Sequence, residues 1–176
     1  MHTILVCYAT RYGSTREIAQ IIGEELMNAG YEVTVSALSE VTDPGIYDAV
    51  IIGSPLYMGK WLAEARDFVS RFRHPLEERP VAVFSVGYSL RERTMENLQN
   101  IDASLEASVK IFISPIHTGY FAGSVNPDIM TPADKTIVTL SGALPGDYRD
   151  PPEVRRWARE LPALFFNGFG DLKKTG

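Results

Sequence analysis

The strongest constraint on the fold is a regular alternation of two kinds of segment. Short apolar runs rich in β-branched residues recur along the chain, and helical patterns lie between them. The runs cover residues 3–8, 31–36, 49–53, 81–86 and 109–113, and the last of these is followed by a second candidate stretch at 119–122. Continuous runs such as "ILV" and "AVII" are typical of strands buried on both faces, as in a parallel sheet.

Amphipathic segments connect these runs. The first begins at Ser14 and repeats apolar residues to about Ala29, and Gly30 follows where a helix C-cap glycine belongs. The others cover residues 62–72 and 91–108, and a last helix begins at "DPPE", residues 150–153. Strands that alternate with helices form right-handed βαβ units. The sequence therefore predicts an α/β fold, a doubly wound five-stranded parallel sheet in the order 2-1-3-4-5 with helices on both faces.

The length and composition favour one globular domain over residues 1–176, with a core at about 3–165 and a flexible tail at 166–176. The net charge is −5, with 17 basic against 22 acidic residues, which argues against a nucleic-acid surface. No export signal and no apolar run of membrane-spanning length is present, so we expect a cytoplasmic protein without an integral membrane segment. The lone Cys7 has no partner for a disulfide, and the histidines lack zinc-site spacing, so no metal is predicted.

Three unusual loops follow strands 1, 3 and 4 of the predicted sheet. Their sequences are "ATRYGST", "GSPLYMGKW" and "SVGYSL", and each contains glycine, hydroxyl and aromatic residues. In the order 2-1-3-4-5 the switch point lies between strands 1 and 3, and ligands bind beyond the carboxyl ends of the strands there. We therefore expect these loops to be neighbours that form a ligand site.

The first loop, within "YATRYGSTRE", has two compatible interpretations. Ser14 or Thr15 satisfies the S-x-x-E pattern and would cap the amides of the first helical turn. Alternatively, these amides and hydroxyls surround a phosphate at the helix N-terminus, where the dipole favours an anion and Gly13 lets the backbone approach closely. The absence of G-x-G-x-x-G disfavours a nicotinamide dinucleotide here, and "GSPLYMGKW" lacks the spacing of a P-loop.

The second loop fits a flat, partly apolar ring. Tyr57, Met58 and Trp61 offer surfaces for stacking, while Pro55 and Gly59 shape a backbone that presents polar groups to the ring edge. Trp61 has an alternative position, packed on the core at the start of a helix.

The third loop supplies Gly87 and Tyr88, which either cover the other side of such a ring or form a plain turn. A phosphoacceptor receiver domain is disfavoured, because it needs an aspartate at the end of strand 3 and this chain has Gly53 there.

Together the motifs T-R-Y-G-S-T-R-E, G-S-P-L-Y-M-G-K-W and S-V-G-Y resemble a flavodoxin-like FMN-binding domain, over about residues 3–165. The first is similar to the flavodoxin phosphate loop, hydroxyl-x-x-G-x-T. The resemblance implies that the FMN phosphate is held by Thr10, Arg11, Tyr12, Gly13, Ser14 and Thr15. It also implies that the isoalloxazine ring lies between two sets, one of Pro55, Leu56, Tyr57, Met58, Gly59, Lys60 and Trp61, the other of Ser85, Val86, Gly87 and Tyr88.

Within that superfamily, "GYFAG" at 119–123 and "GDYRDPPEVRRWARELP" at 146–162 are most similar to the branch that contains menaquinone-dependent protoporphyrinogen dehydrogenases. That branch implies transfer of electrons from an organic substrate through FMN to a quinone. The chain departs from it at residues 124–145, which are short where those enzymes carry a long basic and apolar insertion. Tyr12 replaces the usual threonine of flavodoxins, and Lys60 stands where an acidic residue is common.

The sequence thus predicts an FMN-dependent oxidoreductase whose partner is a redox protein or a small electron donor or acceptor, with a quinone among the candidates. The alternatives are a flavodoxin-type carrier between proteins and a flavin-free interaction module. No catalytic acid or base is identified. Lys60 near the ring would stabilise the anionic hydroquinone, unless it points to solvent. "GDYRD" either caps the last helix or places Arg149 near an anionic substrate.

Overall fold

The computed structural model describes residues 1–167 and contains a parallel sheet in the predicted order. Its strands run in the order β2-β1-β3-β5-β6, with a short β4 paired to the end of β3. The bounds are β1 Thr3–Tyr8, β2 Glu32–Ala37, β3 Ala49–Tyr57, β4 Lys60–Trp61, β5 Val81–Val86 and β6 His117–Phe121.

Helices cover both faces of the sheet. They are α1 Ser14–Asn28, α2 Ala63–Arg71, α3 Arg73–Glu77, α4 Met95–Ser108, α5 Pro132–Ser141 and α6 Pro151–Asn167. Successive side chains of β1 point to opposite faces, so Leu5 and Cys7 join a core with α2 and α4, whereas Ile4 and Val6 join a core with α1 and α6. Burial on both faces explains the unbroken apolar run of this strand.

Of the two stretches predicted for the fifth strand, 109–113 was wrong, whereas 119–122 overlaps β6. Residues 109–113 form the turns that follow α4, and β6 begins at His117, where it pairs with Ala82 of β5. Val109 and Ile113 are nevertheless buried in the core beside α4, which explains their apolar character. β6 lies at the edge of the sheet, so its sequence "HTGYF" is not uniformly apolar.

The predicted loop after strand 3 is largely a hairpin. β3 continues to Tyr57 and pairs antiparallel with β4, so that Tyr57 faces Lys60 and Leu56 faces Trp61. Met58 and Gly59 form the two-residue turn, with φ angles of 53° and 77°. Two positive φ values at the centre of a two-residue turn match the geometry that twisted hairpins favour.

Residues 124–148, called the excursion below, leave the sheet after β6 and return to it before α6. The excursion opens with β7 (Ser124–Val125), which pairs antiparallel with β8 (Gly146–Asp147) near its end, and α5 lies between them. The amide of Tyr148 donates to the carbonyl of Gly123 at 3.1 Å and so closes its base. Residues 124–145, which are short beside the insertion of the dehydrogenase branch, therefore contain a helix, α5.

The predicted tail begins inside the last helix, because α6 continues through Asn167. The rest of that tail, residues 168–176, lies outside the described residues. Over residues 1–167, none of the helices combines the length and apolar character needed to cross a bilayer.

Candidate cofactor site

The three predicted loops meet at one edge of the sheet. Tyr8 at the end of β1 pairs with Gly53 of β3, and the amide of Ala9 donates to the Gly53 carbonyl at 2.9 Å. Gly87, after β5, lies so close to β3 that an added Cβ would stand 3.1 Å from Leu56 Cδ1. The predicted neighbourhood of the loops is confirmed.

The N-terminus of α1 is open, which contradicts the prediction that Ser14 or Thr15 caps it. Gly13 is the N-cap, at φ 96°, and no side chain accepts a hydrogen bond from the first-turn amides. Ser14 is already helical, so its hydroxyl stands one position too late to cap. Three other helices are capped by side chains, α4 by Thr94, α5 by Thr131 and α6 by Asp150. The amides at the start of α1 are therefore free to bind a ligand.

Hydroxyl groups surround this open helix end. Thr10 Oγ1 accepts a hydrogen bond of 2.9 Å from the amide of Gly13, which fixes the turn before the helix. Ser14 is half-buried, and an added Cβ at Gly123 would lie 3.2 Å from its Oγ, so the chain after β6 borders the same space. Thr15 is buried in the first turn. Amides, hydroxyls and the positive end of a helix form a donor set that fits a phosphate.

The side chain of Trp61 packs in the core, which is the alternative that the sequence left open, so its indole offers no free face for stacking. It is 1% exposed, and its Nε1 donates a buried hydrogen bond of 2.8 Å to Ser85 Oγ. Neighbouring residues of a strand point to opposite sides, so Lys60 is exposed while Trp61 enters the core. The side chains of Ser85 and Val86 are buried as well. These three residues have only backbone groups to offer a ring.

The remaining predicted ring residues lie at the surface of the hairpin and the third loop. Met58, at the turn, is 75% exposed, whereas Pro55, Leu56 and Tyr57 are half-buried. Tyr88 opens the turn after β5 and packs edge-on against Tyr148 of the excursion, with the ring centroids 5.3 Å apart. The hairpin and the third loop thus present tyrosine rings and a methionine, which suit contact with a planar ring.

A buried carboxylate on α5, for which the sequence predicted no role, joins two of the loops. Asp134, whose side chain is 4% exposed, accepts hydrogen bonds from Arg11 Nε at 2.8 Å and Nη2 at 3.2 Å. The Tyr57 hydroxyl donates to it at 3.0 Å, and the Tyr12 hydroxyl donates to it too. The hydrogen bonds from Arg11, which have the larger effect, and from Tyr12 hold the pKa of the Asp134 carboxyl well below its usual range. The hydrogen bond to Asp134 raises the pKa of the Tyr57 phenol.

The polar groups of Arg11 and Tyr12 are therefore engaged by the excursion. The guanidinium of Arg11 also lies 4.4 Å from the centroid of the Tyr57 ring. The Tyr12 oxygen accepts a hydrogen bond of 3.3 Å from the amide of Thr131, just before α5. The sequence signal for this cluster was an acidic residue in the first turn of a capped helix, and that signal does not identify its partners, which lie 77 to 123 positions away.

The "GDYRD" segment forms a cap and an ion-pair cluster. Asp150 Oδ1 accepts a hydrogen bond of 3.3 Å from the amide of Glu153 at the start of α6. Arg149 Nη2 lies 2.6 Å from Asp147 Oδ2, and Arg149 also pairs with Glu17 of α1. The capping interpretation is confirmed, and the charge of Arg149 is balanced by two carboxylates.

Comparison with known proteins agrees with this architecture. Protoporphyrinogen IX dehydrogenase [quinone] of Escherichia coli strain K12 is 25% identical over 171 residues, which cover 91% of this chain and 94% of that protein. A short-chain flavodoxin associated with a non-canonical PDU bacterial microcompartment aligns with a TM-score of 0.59 at 19% identity, over 92% of this chain and 97% of its own.

The Fusobacterium nucleatum flavodoxin bound to flavin mononucleotide aligns with a TM-score of 0.57 at 14% identity, over 94% of this chain and 99% of its own. At such identities these likenesses establish the fold. The model of the flavodoxin domain family matches residues 5–151. Since that match spans most of the sequence, the chain belongs to the flavodoxin domain family.

Proposed function

We propose that this chain binds FMN among the three loops and transfers electrons through it, as an oxidoreductase with a small organic substrate. The observation that carries the proposal is the open N-terminus of α1. The first-turn amides of α1 have no side-chain cap. They follow Gly13 and lie among the hydroxyl residues Thr10, Ser14 and Thr15, an arrangement that suits a phosphate monoester. Membership of the flavodoxin domain family supports FMN as the molecule that carries it.

The chain's residues bind and orient the cofactor. The amides of the first turn of α1 and the hydroxyls of Thr10, Ser14 and Thr15 hold the phosphate. Tyr57 and Tyr88 provide aromatic surfaces on the hairpin and the third loop for the ring. Bound FMN supplies the reversible uptake of one or two electrons, and the protein supplies binding, orientation and electrostatics. Lys60 lies exposed beside the hairpin turn, so solvent would screen its charge from a bound ring.

The dehydrogenase class is supported by the E. coli relative, whose name gives it protoporphyrinogen IX as substrate and a quinone as acceptor. We extend to this chain the oxidation of a reduced organic substrate and keep a quinone as the candidate acceptor. The excursion adds support, because its contacts with Tyr57 and Tyr88 leave less of the hairpin and of the third loop open to a protein partner. The cytoplasmic location stays a prediction of the sequence.

A flavodoxin-type carrier is the second candidate, since the F. nucleatum and microcompartment proteins that share the fold are flavodoxins. Such a carrier would deliver electrons to a protein partner. Steady turnover of a small reductant with a quinone would favour the oxidoreductase, whereas reduction and oxidation only by protein partners would favour the carrier.

The first experiment is to purify the protein, record its absorbance in the flavin region, and identify the released cofactor by mass. We expect FMN, or stoichiometric uptake of added FMN by the apoprotein. A colourless protein that takes up no FMN would refute the proposal. The second experiment measures turnover with water-soluble quinones. A redox titration of the wild type and of Lys60→Ala then tests whether the exposed cation alters the midpoint potential of the flavin.

A further inference from the structure

The excursion contacts every loop of the proposed FMN site. Through Asp134 it holds the loop after β1 and the hydroxyl of Tyr57 at the end of β3. Through Tyr148 it holds Tyr88 in the loop after β5. The β7–β8 ladder anchors both ends of the excursion beside the carboxyl end of β6, so α5 lies across this edge of the sheet. One segment therefore bridges all three loops.

Asp134 is the polar centre of this bridge. Its carboxylate is buried and accepts four hydrogen bonds, two from Arg11 and one each from Tyr12 and Tyr57. Bidentate arginine–carboxylate pairs are among the stronger hydrogen-bonded contacts in proteins. The carboxylate also stands in the first turn of α5, where the helix dipole favours a negative charge. A buried carboxylate with these partners holds α5 in place, because moving α5 away from the loops would break all four hydrogen bonds of Asp134.

The length of the Tyr12 side chain fits this role. Its hydroxyl reaches from the loop before α1 to the start of α5, where it donates to Asp134 and accepts from the amide of Thr131. A threonine at this position would be too short to make either contact. Tyr12 therefore joins the phosphate loop to the excursion, while the hydroxyls of Thr10, Ser14 and Thr15 remain at the helix end.

We propose that Asp134 is a positioning residue that clasps the excursion over the cofactor loops and thereby slows the release of FMN. The effect on FMN release rests on the proposed function, whereas the role of Asp134 in holding the excursion does not. The clasp consists of Asp134, Arg11, Tyr12 and Tyr57. These residues are in contact in the structure. The contacts would persist with flavin bound, and the flavin would leave when they open.

The first test measures hydrogen exchange of the α5 amides in the apoprotein by mass spectrometry. Asp134→Ala should raise the exchange rate of α5 by about tenfold or more, since several charge-assisted bonds are lost. Tyr12→Phe removes a single hydroxyl and should give a smaller rise in a fold that is otherwise intact. Asp128→Asn is the matched control, because it removes one negative charge from the same excursion outside the clasp, and its α5 exchange should equal that of the wild type.

The second test follows the recovery of flavin fluorescence as FMN leaves the holoprotein after dilution. Asp134→Ala should release FMN about tenfold faster and Asp128→Asn at the wild-type rate. Unchanged α5 exchange in Asp134→Ala, or slower release with tighter binding, would overturn the clasp. A wild type that binds no FMN would refute the proposed function instead, while the exchange measurement on the apoprotein would still decide whether the clasp exists.

Discussion

Thr15→Val tests the phosphate site most directly. Thr15 is 1% exposed in the first turn of α1, and valine has nearly the same volume, so the change removes a hydroxyl with little effect on packing. A hydrogen bond to a charged group contributes about 1.5–3 kcal/mol. If the Thr15 hydroxyl binds the FMN phosphate, the dissociation constant should rise by roughly 10- to 150-fold. Riboflavin lacks the phosphate, so its affinity should change little.

The assay is a fluorescence titration of the apoprotein with FMN and, separately, with riboflavin. Thr34→Val makes the same chemical change at an exposed position of β2, away from the loops, and should leave both affinities unaltered. The melting temperature of each apoprotein reports any loss of stability. Equal losses for FMN and riboflavin would assign Thr15 to structure, and an unchanged FMN affinity would remove it from the phosphate site.

Three further predictions concern the core and the clasp. Gly53→Ala would place a Cβ 2.0 Å from Cζ of Phe84, so urea titration should show a free energy of unfolding lower by about 1–3 kcal/mol. Cys7 is fully buried and its thiol pKa is raised by burial, so a thiol reagent should modify it only as the protein unfolds; rapid modification of the native protein would contradict its place in β1. The pKa of Asp134 is depressed on folding, so its contribution is complete above the ordinary carboxyl pKa of about 3.9 and is lost as the pH falls below that value. Near-ultraviolet circular dichroism of the tyrosines should therefore be constant between about pH 7 and pH 5 and change only below about pH 4, and a change already complete at pH 5 would contradict this sign.

The sequence predicted the centre of the sheet better than its edge. β1, β3 and β5 are buried on both faces, so they needed continuous apolar runs, and their positions were read from those runs. β6 is an edge strand and its residues are mixed in character, so only the short stretch at 119–122 indicated it. Val109 and Ile113 gave a false signal, because buried turn residues after a helix are apolar for the same reason as strand residues.

The location of the site followed from topology, whereas several side-chain roles did not follow from local pattern. S-x-x-E suggested that Ser14 caps α1, but the left-handed conformation of Gly13 begins the helix one residue earlier. The aromatic cluster in "GSPLYMGKW" suggested that Trp61 stacks on a ligand. Its direction was decided by the turn at Met58 and Gly59, which sets the register of β4 and turns the indole into the core.

Two departures from known patterns, Tyr12 in the flavodoxin phosphate loop and the short segment at 124–145 where the dehydrogenase branch carries an insertion, belong to one structural feature. In the sequence they lie far apart and look unrelated, since the first is a bulky residue in a phosphate loop and the second is a short connection. In the structure the connection carries Asp134 to the Tyr12 hydroxyl, and each needs the other. A chain with Tyr12 but without α5 would expose an aromatic side chain beside the N-terminus of α1. A chain with Asp134 but without Arg11 and Tyr12 would bury a carboxylate that lacks most of its partners, which is strongly destabilising. The β7–β8 ladder pairs the two ends of the excursion, and Asp134 and Tyr148 reach the three loops from it.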